Sequence, residues 1–186
     1  MHAQKDLITT HDLTRVYRQG EVLVTALDKV NLSINSGEFI AVVGPSGSGK
    51  TTLLNMIGGL DTPSEGHVAL SGSNIDTMSQ RKLSQTRRDH IGFIFQFFNL
   101  IPVLNVEENT EYVMLLQGIS ADERKDRVRA ILKDVGLEGM ETANHISSLE
   151  DSNKESLFAG LWLPSLTLSL LTSPQLMWIP PQARNF

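Results

Sequence analysis

The segment from Gly44 to Thr52 constrains the fold of this chain more than any other part of it. It reads GPSGSGKTT and fits the pattern G-x-x-x-x-G-K-[ST], with Lys50 and Thr51 in the last two fixed places. Glycines let a backbone bend so that successive N–H groups point at one anion, and a helix that starts there adds the positive end of its dipole. In this pattern the lysine reaches the β- and γ-phosphates of a nucleotide, and the threonine hydroxyl ligates Mg²⁺. The predicted phosphate-binding residues are Gly44, Pro45, Ser46, Gly47, Ser48, Gly49, Lys50, Thr51 and Thr52.

The residues on either side of this loop favour it over an ordinary Gly/Ser turn. Glu38 to Val43 (EFIAVV) predicts a buried strand, and apolar residues at helical spacing follow from Leu53 to Ile57. Further strands are predicted over 7–10, 30–34, 67–70 and 91–95, and helices over 103–117 and 120–135. The second of these helices has a capping box of Ser120 and Glu123 and is expected to end at Gly136. This order of elements predicts an α/β nucleotide-binding core with a helical insertion.

The composition argues against several other kinds of site. A net charge of −5 argues against non-specific nucleic-acid binding, so no nucleic-acid partner is expected. Without cysteine the chain has no disulfide framework, thiolate zinc site or cysteine nucleophile. The N-terminal residues lack the apolar core of a signal peptide, and the five histidines form no H-x-x-x-H pair. These features agree with a protein of the reducing cytoplasm.

Several segments around the phosphate loop match one family together. They are Tyr17 with Gly20-Glu21, ALDKV at 26–30, GLD-x-P-x-x-G at 59–66, IGFIFQ at 91–96, NLIP at 99–102 and VEEN at 106–109. With the loop, they resemble the ATP-binding subunit of an ABC transporter, most closely the lipoprotein-releasing and macrolide-export branch. The resemblance runs from residue 5 to about 145 and is much more specific than the phosphate loop alone.

The resemblance implies a fold, cofactors and partners. The implied fold is a P-loop NTPase core with N-terminal antiparallel strands, forming a partial nucleotide-binding domain over 1–145 with its helical subdomain at about 98–145. Tyr17 matches the aromatic residue that stacks on adenine, and Gln96 matches the glutamine that contacts Mg²⁺ or the attacking water. The implied cofactors are ATP and Mg²⁺, with Thr51 and Gln96 at the metal. The implied partners are a membrane-spanning permease subunit and a second ATP-binding subunit, which would hold the chain at the cytoplasmic face of the cell membrane.

The resemblance ends near residue 145. The family's LSGGQ signature, its strand ending in Asp-Glu and its later histidine are not found in the rest of the chain. Since phosphoryl transfer depends on positioning and charge stabilisation by such groups, no hydrolysis by this chain alone is expected. The composition also changes, because residues 156–183 carry no charge and hold both tryptophans. Residues 146–186 are therefore expected to form an out-of-family tail, disordered or misfolded, and the fold is expected to be incomplete at its C-terminus.

A shifted reading frame explains this tail. When the third base of each codon is joined to the first two bases of the next, the residues from Ser148 onward permit SGGQQQRVS. In the same frame, LTSPQL at 171–176 permits DEPTA. Two positions have no freedom: Met177-Trp178 forces valine and Trp178-Ile179 forces aspartate, which continue the shifted reading as ANVD. We interpret the tail as the missing half of the family's sequence, translated in the wrong frame.

Alternatives for the tail and for the function stay open. The tail could be a divergent C-terminus or a membrane segment, but its apolar stretch at 157–171 is shorter than the ~20 residues of a span and contains Pro164. No membrane span of the chain's own is therefore expected. The chain could also be a non-catalytic nucleotide-binding fragment without a transport role. Another P-loop enzyme, such as a kinase, would need a carboxylate for Mg²⁺; Asp61 and Asp76 are available, but they lie in turn-like sequence.

Overall fold

Two sheets and four helices make up the part of the chain that the computed structural model describes, which is residues 6–94, 100–134, 136–143, 168–172 and 175–178. The strands are β1 (Asp6–Gln19), β2 (Val22–Asn35), β3 (Phe39–Ala41), β4 (Glu65–Leu70), β5 (Ser73–Asn74), β6 (Ile91–Ile94), β7 (Leu168–Thr172) and β8 (Gln175–Trp178). The helices are α1 (Lys50–Ile57), α2 (Gln80–His90), α3 (Val106–Leu116) and α4 (Ala121–Asp134). None of the helices in these ranges is both long enough and apolar enough to cross a membrane.

The first sheet has the strand order β2-β1-β4-β5, and all of its neighbours are antiparallel. β1 and β2 form a long hairpin, of which the sequence predicted only 7–10 and 30–34 as strands. The remainder was missed because the far end of the hairpin is exposed at Val22, Leu23 and Val24, so it shows no alternation of apolar and polar residues. The hairpin places Tyr17 on β1 opposite Val24 on β2.

The second sheet has the strand order β3-β8-β7-β6. β6 and β7 are parallel, whereas β8 runs antiparallel to both β7 and β3. The predicted buried strand over 38–43 is shorter and more exposed than expected, since β3 covers only three residues and the Phe39 and Val43 side chains are 61% and 86% exposed. The reason is that, among the described residues, β3 has a neighbouring strand on one side only, so part of its surface stays uncovered.

Part of the predicted tail lies in this second sheet. β7 and β8 both belong to residues 146–186, and they connect β6 to β3 through their backbone hydrogen bonds. The other residues of the tail lie outside the described residues. The expectation that the tail is disordered or misfolded therefore stays a prediction.

Two apolar cores hold the described elements together. The larger core joins the first sheet to α1 and to Ile91 at the start of β6, and Leu54, Met56 and Ile57 of α1 are fully buried in it. Most of the stability of so short a helix comes from packing its apolar face. This packing therefore fixes the N-terminus of α1, where the phosphate loop ends. The smaller core lies between α3, α4 and the residues just after α4, and it forms the predicted helical insertion.

The full capping box lies at α3 rather than at α4. The Asn105 side chain accepts from the Glu108 N–H at 2.7 Å, and the Glu108 carboxylate accepts from the Asn105 N–H at 2.8 Å. At α4 the Ser120 hydroxyl accepts from the Glu123 N–H at 3.4 Å, but the Glu123 carboxylate pairs with Arg127 at 2.6 Å. The box predicted at Ser120 and Glu123 is only half formed, because an i,i+4 ion pair engages the glutamate.

Candidate nucleotide-binding site

The phosphate loop leads directly into α1, and Gly49 is the residue at which the chain turns into the helix. Gly49 has φ of +88°, in the left-handed region that favours glycine. A Cβ atom at this position would lie 2.3 Å from the carbonyl oxygen of Ala26 on β2. The loop therefore packs against the hairpin with no room for a side chain, which explains the glycine at this place in the motif.

The Lys50 ammonium closes the loop. Its Nζ atom donates to the carbonyl oxygens of Gly44 at 2.9 Å and Pro45 at 2.7 Å, and to the Ser48 hydroxyl at 3.4 Å. The Ser48 N–H donates to the Pro45 carbonyl at 3.3 Å, which tightens the same turn. A cation held among loop oxygens in this way is well placed to form charge-assisted hydrogen bonds with an anion on the loop.

The N-terminus of α1 adds further anion-binding groups. The first N–H groups of a helix have no partner within the helix and carry the positive end of its dipole. No acidic side chain lies in the first turn of α1, and residues 43–48 of the loop are exposed. The loop therefore presents backbone donors and one ammonium to solvent, which is the set of donors that a polyphosphate requires.

The residues predicted to bind Mg²⁺ are only partly described by the structure. Thr51 and Thr52 lie in the first turn of α1 beside Lys50, and Thr51 is exposed. A hydroxyl oxygen suits Mg²⁺, which is a hard cation with a preference for oxygen ligands. Gln96, the second predicted metal-site residue, lies outside the described residues. Of the two residues predicted at the metal, Thr51 alone lies in the described part of the chain.

Tyr17, the predicted base-stacking residue, lies half-buried on β1 in a cluster with Arg15 and Asp61. The Tyr17 hydroxyl donates to Asp61 Oδ2 at 2.8 Å, and the Arg15 guanidinium pairs with Asp61 Oδ1 at 2.8 Å. The central carbon of that guanidinium also lies 4.6 Å from the centroid of the Tyr17 ring. Arg15 was not among the residues predicted from the sequence, and Asp61 was predicted to lie in a turn. Arg15 could have been found from its i, i+2 spacing to Tyr17, because residues two apart lie on the same face of a strand.

A β-bulge links Tyr17 to the phosphate loop. Arg15 pairs with Leu27 and Val16 pairs with Thr25, so Ala26 is an extra residue in β2. The carbonyl oxygen of Ala26 lies against Gly49, and Ala26 is two residues, about 6.6 Å along a strand, from the partner of Tyr17. The hairpin thus brings the predicted base-stacking residue and the predicted phosphate-binding residues together.

Similar proteins of known family extend these observations. The family model described as ABC transporter matches residues 27–154. The lipoprotein-releasing system ATP-binding protein LolD of Chromohalobacter salexigens is 44% identical over 132 residues, which are 71% of this chain and 56% of that protein. The macrolide export ATP-binding/permease protein MacB of Hyphomonas neptunium is 42% identical over 131 residues, which are 70% of this chain and 20% of that protein.

A solved structure has the same fold. It is a dimeric structure of a post-hydrolysis state of the ATP-binding cassette MJ0796 bound to ADP and Pi, and it matches with a TM-score of 0.79 and 36% identity over 88% of this chain and 72% of that one. This match confirms the predicted α/β fold class. The chain spans 56% to 60% of the length of LolD and of the curated MJ0796 protein from Methanocaldococcus jannaschii. Since the family model covers more than half of its residues, the chain belongs to the ABC transporter family, as the resemblance in its sequence predicted.

Proposed function

We propose that this chain is the ATP-binding subunit of an ABC transporter, or a large part of one, from the lipoprotein-releasing and macrolide-export branch. Residues 44–52 hold the phosphates, Tyr17 contacts the adenine, and Thr51 with Gln96 ligates Mg²⁺. The observation that carries this proposal is the position of the Lys50 ammonium among three loop oxygens at the N-terminus of α1. The names of LolD and MacB, and the ADP and Pi of the solved relative, support the choice of nucleotide.

The groups of the loop divide the task of holding a polyphosphate. Lys50 can exchange its bonds to loop oxygens for bonds to phosphate oxygens, and charge-assisted bonds of this kind are stronger than neutral ones. The first N–H groups of α1 add donors that are already oriented. Mg²⁺, when bound, supplies further charge neutralisation. The loop thus needs no side chain other than Lys50, Thr51 and the serines to bind the phosphates.

We further propose that the chain works at the cytoplasmic face of the cell membrane with a membrane-spanning permease subunit and a second ATP-binding subunit. The name of MacB joins ATP binding and a permease, and the name of LolD assigns it to a lipoprotein-releasing system. The solved cassette is dimeric. These relatives support the two partners and, for a chain that carries the shifted-frame motifs, the coupling of ATP hydrolysis to export or lipoprotein release.

The chain as it stands is proposed not to hydrolyse ATP, because residues 146–186 contain neither LSGGQ nor Asp-Glu in this reading frame. We propose that both motifs are present in the shifted frame. The position of β7 supports this reading: β7 runs parallel to β6 and ends at Thr172. The shifted codons that permit Asp-Glu join Leu171 to Thr172 and Thr172 to Ser173, so they fall at the end of this strand.

Nucleotide titration of the purified chain tests the proposed function. Wild-type protein with Mg²⁺ is expected to bind ATP at one saturable site in isothermal titration calorimetry. The Lys50→Ala variant is expected to bind at least about tenfold more weakly, because hydrogen bonds to charged groups contribute about 1.5–3 kcal/mol. Lys125→Ala removes an exposed lysine from α4 and is the matched control, with unchanged affinity expected. Equal affinity of wild type and Lys50→Ala would contradict the proposal.

Measurement of phosphate release from ATP tests the proposed lack of hydrolysis. Binding without release is expected for this chain, and it is also what the alternative of a non-catalytic nucleotide-binding fragment predicts. Steady release of phosphate that Lys50→Ala abolishes would show that the chain supplies a catalytic carboxylate of its own, and the proposed lack of hydrolysis would be wrong.

A further inference from the structure

We infer that Arg15 and Asp61 are positioning residues that hold the Tyr17 ring in place for stacking on the base of the nucleotide. The inference rests on the proposed function, because it concerns the base end of the same site. It goes further in giving a task to Arg15 and Asp61, which do not belong to the phosphate-binding motif.

The Asp61 carboxylate bridges three donors. Its Oδ2 atom accepts from the Tyr17 hydroxyl at 2.8 Å, and its Oδ1 atom accepts from Arg15 at 2.8 Å and from the Thr62 N–H at 2.7 Å. The backbone bond to Thr62 fixes the carboxylate, and the carboxylate then fixes the outer end of the tyrosine ring. The side chains of Arg15 and Asp61 are only 24% and 26% exposed, so this pair is less screened by water than a surface ion pair.

Arg15 covers one face of the Tyr17 ring. Its guanidinium lies over one face, with its central carbon 4.6 Å from the ring centroid, at a distance typical of a cation–π contact. Among the residues that the structure describes, none is a hydrogen-bond partner of the buried Arg15 Nε atom. A buried unpaired donor is unfavourable, so hydrogen bonding alone does not explain where this guanidinium lies. With one face covered, a base can stack only on the opposite face of the ring.

The loop that carries Asp61 is fixed relative to the phosphate end of the site. The N–H groups of Leu60 and Asp61 both donate to the Asn55 carbonyl of α1, at 2.8 Å and 3.3 Å. The Ser64 N–H donates to the Thr14 carbonyl of β1 at 2.8 Å. Since α1 begins at the phosphate loop, Asp61 sets the position of the tyrosine ring with respect to that loop.

Comparison of ATP with inorganic tripolyphosphate tests the inference, because only ATP carries a base. Both affinities are measured with Mg²⁺ for wild type, Arg15→Met, Arg15→Lys, Asp61→Asn and Tyr17→Ala. Stacking of a base on an aromatic ring contributes about 1–3 kcal/mol, so Tyr17→Ala is expected to weaken ATP about tenfold. Arg15→Met and Asp61→Asn are expected to weaken ATP about fivefold and tripolyphosphate by less than about twofold, while Arg15→Lys keeps the cation and retains most of the ATP affinity.

Two controls separate positioning from charge and from folding. Arg18→Met removes an exposed arginine from the same strand, and it is expected to leave the ratio of the two affinities unchanged. In the Tyr17→Ala background, Arg15→Met is expected to have no further effect on ATP, since there is no ring left to position. Thermal melting of each variant identifies any that is unfolded at the assay temperature. If Arg15→Met is unfolded, Asp61→Asn tests the contact between Arg15 and Asp61 through the other partner.

The outcomes distinguish this inference from the proposed function. Equal weakening of ATP and tripolyphosphate by Arg15→Met, or no weakening of either, would overturn the inference while phosphate binding at the loop stands. The same holds if wild-type protein binds ATP no more tightly than tripolyphosphate, because the base would then contribute nothing. If wild-type protein binds neither compound, the proposed function fails and the inference fails with it.

Discussion

Gly66 lies on β4 where this strand crosses an irregular part of β1. A Cβ atom at Gly66 would lie 2.3 Å from the Asp12 carbonyl oxygen and 2.4 Å from that of His11. Gly72, just after the same strand, has nearly the same φ, +80° against +79°, but a Cβ atom there would meet nothing within 4 Å. The two glycines therefore share a backbone conformation and differ in the space around them.

Alanine substitution at these two positions is expected to have unequal costs. Gly72→Ala should lower the free energy of unfolding by about 1–2 kcal/mol, which is the cost of a Cβ atom in the left-handed region. Gly66→Ala should lower it by a further 1–3 kcal/mol or so, because backbone atoms must also move apart. Urea unfolding followed by circular dichroism measures both values. Equal losses would show that the close approach at Gly66 relaxes without cost.

At the same scale, the phosphate loop could be predicted from the sequence, whereas the contacts around Tyr17 could not. The loop is encoded by residue types at fixed spacing, so Gly49 and Lys50 could be assigned from the chain alone. The pair of Arg15 and Asp61 could not, because the two residues are 46 positions apart and meet only through the register of the hairpin and the path of the loop after α1. The roles of Tyr17 and Gln96 stay predictions from the family resemblance.

The helices α3 and α4 differ in how they begin. α3 has the reciprocal box of Asn105 and Glu108, and the Asn109 amide also bonds to the carbonyl oxygens of Ile101 and Leu104 before the helix. This network ends the preceding loop, which explains why the helix starts at Val106 rather than at the predicted Val103. At the start of α4 the Ser120 hydroxyl accepts a longer bond, 3.4 Å, from the Glu123 N–H, and the Arg124 guanidinium donates to the Ile119 carbonyl at 2.6 Å.

Removal of each cap is expected to reveal this difference. Asn105→Ala should lower the free energy of unfolding by about 1–2 kcal/mol, within the range for loss of a good N-cap. Ser120→Ala should cost only about 0.5 kcal/mol, at the low end of that range, because its bond is long and Glu123 is already paired with Arg127. Thermal unfolding of the two variants beside wild type measures the order. A larger loss for Ser120→Ala would show that hydrogen-bond length does not rank the two caps.

Element boundaries were predicted less well than element types. Each strand and helix expected from apolar periodicity over residues 7–135 has a counterpart in the described structure, but the hairpin strands are much longer than predicted. The outer ends of these strands are exposed, so their sequence shows no alternation of apolar and polar residues. α2 buries only Thr86, so its sequence has no apolar stripe to reveal it.

In the molecule as a whole, the second sheet combines strands from the part that resembles the family with strands from the out-of-family tail. β3 and β6 come from the part that resembles the family, whereas β7 and β8 between them come from the tail. The exposed Phe39 and Val43 side chains lie at the same sheet. A chain translated in the shifted frame would have different amino acids at the positions of β7 and β8.

Sequencing of the coding DNA from codon 140 to beyond the stop tests the shifted frame. We expect a single-base change to restore SGGQQQR and DEPTA, followed by further family sequence. A chain expressed from the restored frame is then expected to melt more cooperatively than the present one, because more of its apolar surface would be covered. Different codons at Leu171 to Leu176, or early stops in the shifted frame, would show that the tail has its own sequence and needs its own explanation.

The burial of α1 in the larger core has a consequence for how the site can open. A loop on the surface of a protein opens at a small cost in free energy, whereas a helix packed into the main core opens only together with much of the fold. Leu54, Met56 and Ile57 are each 1% exposed, and α1 joins the phosphate loop at one end to the Asp61 loop at the other. Opening of α1 therefore loosens both ends of this site together, and a ligand that binds across the site is expected to protect the amide hydrogens of the first sheet as well as its own contacts.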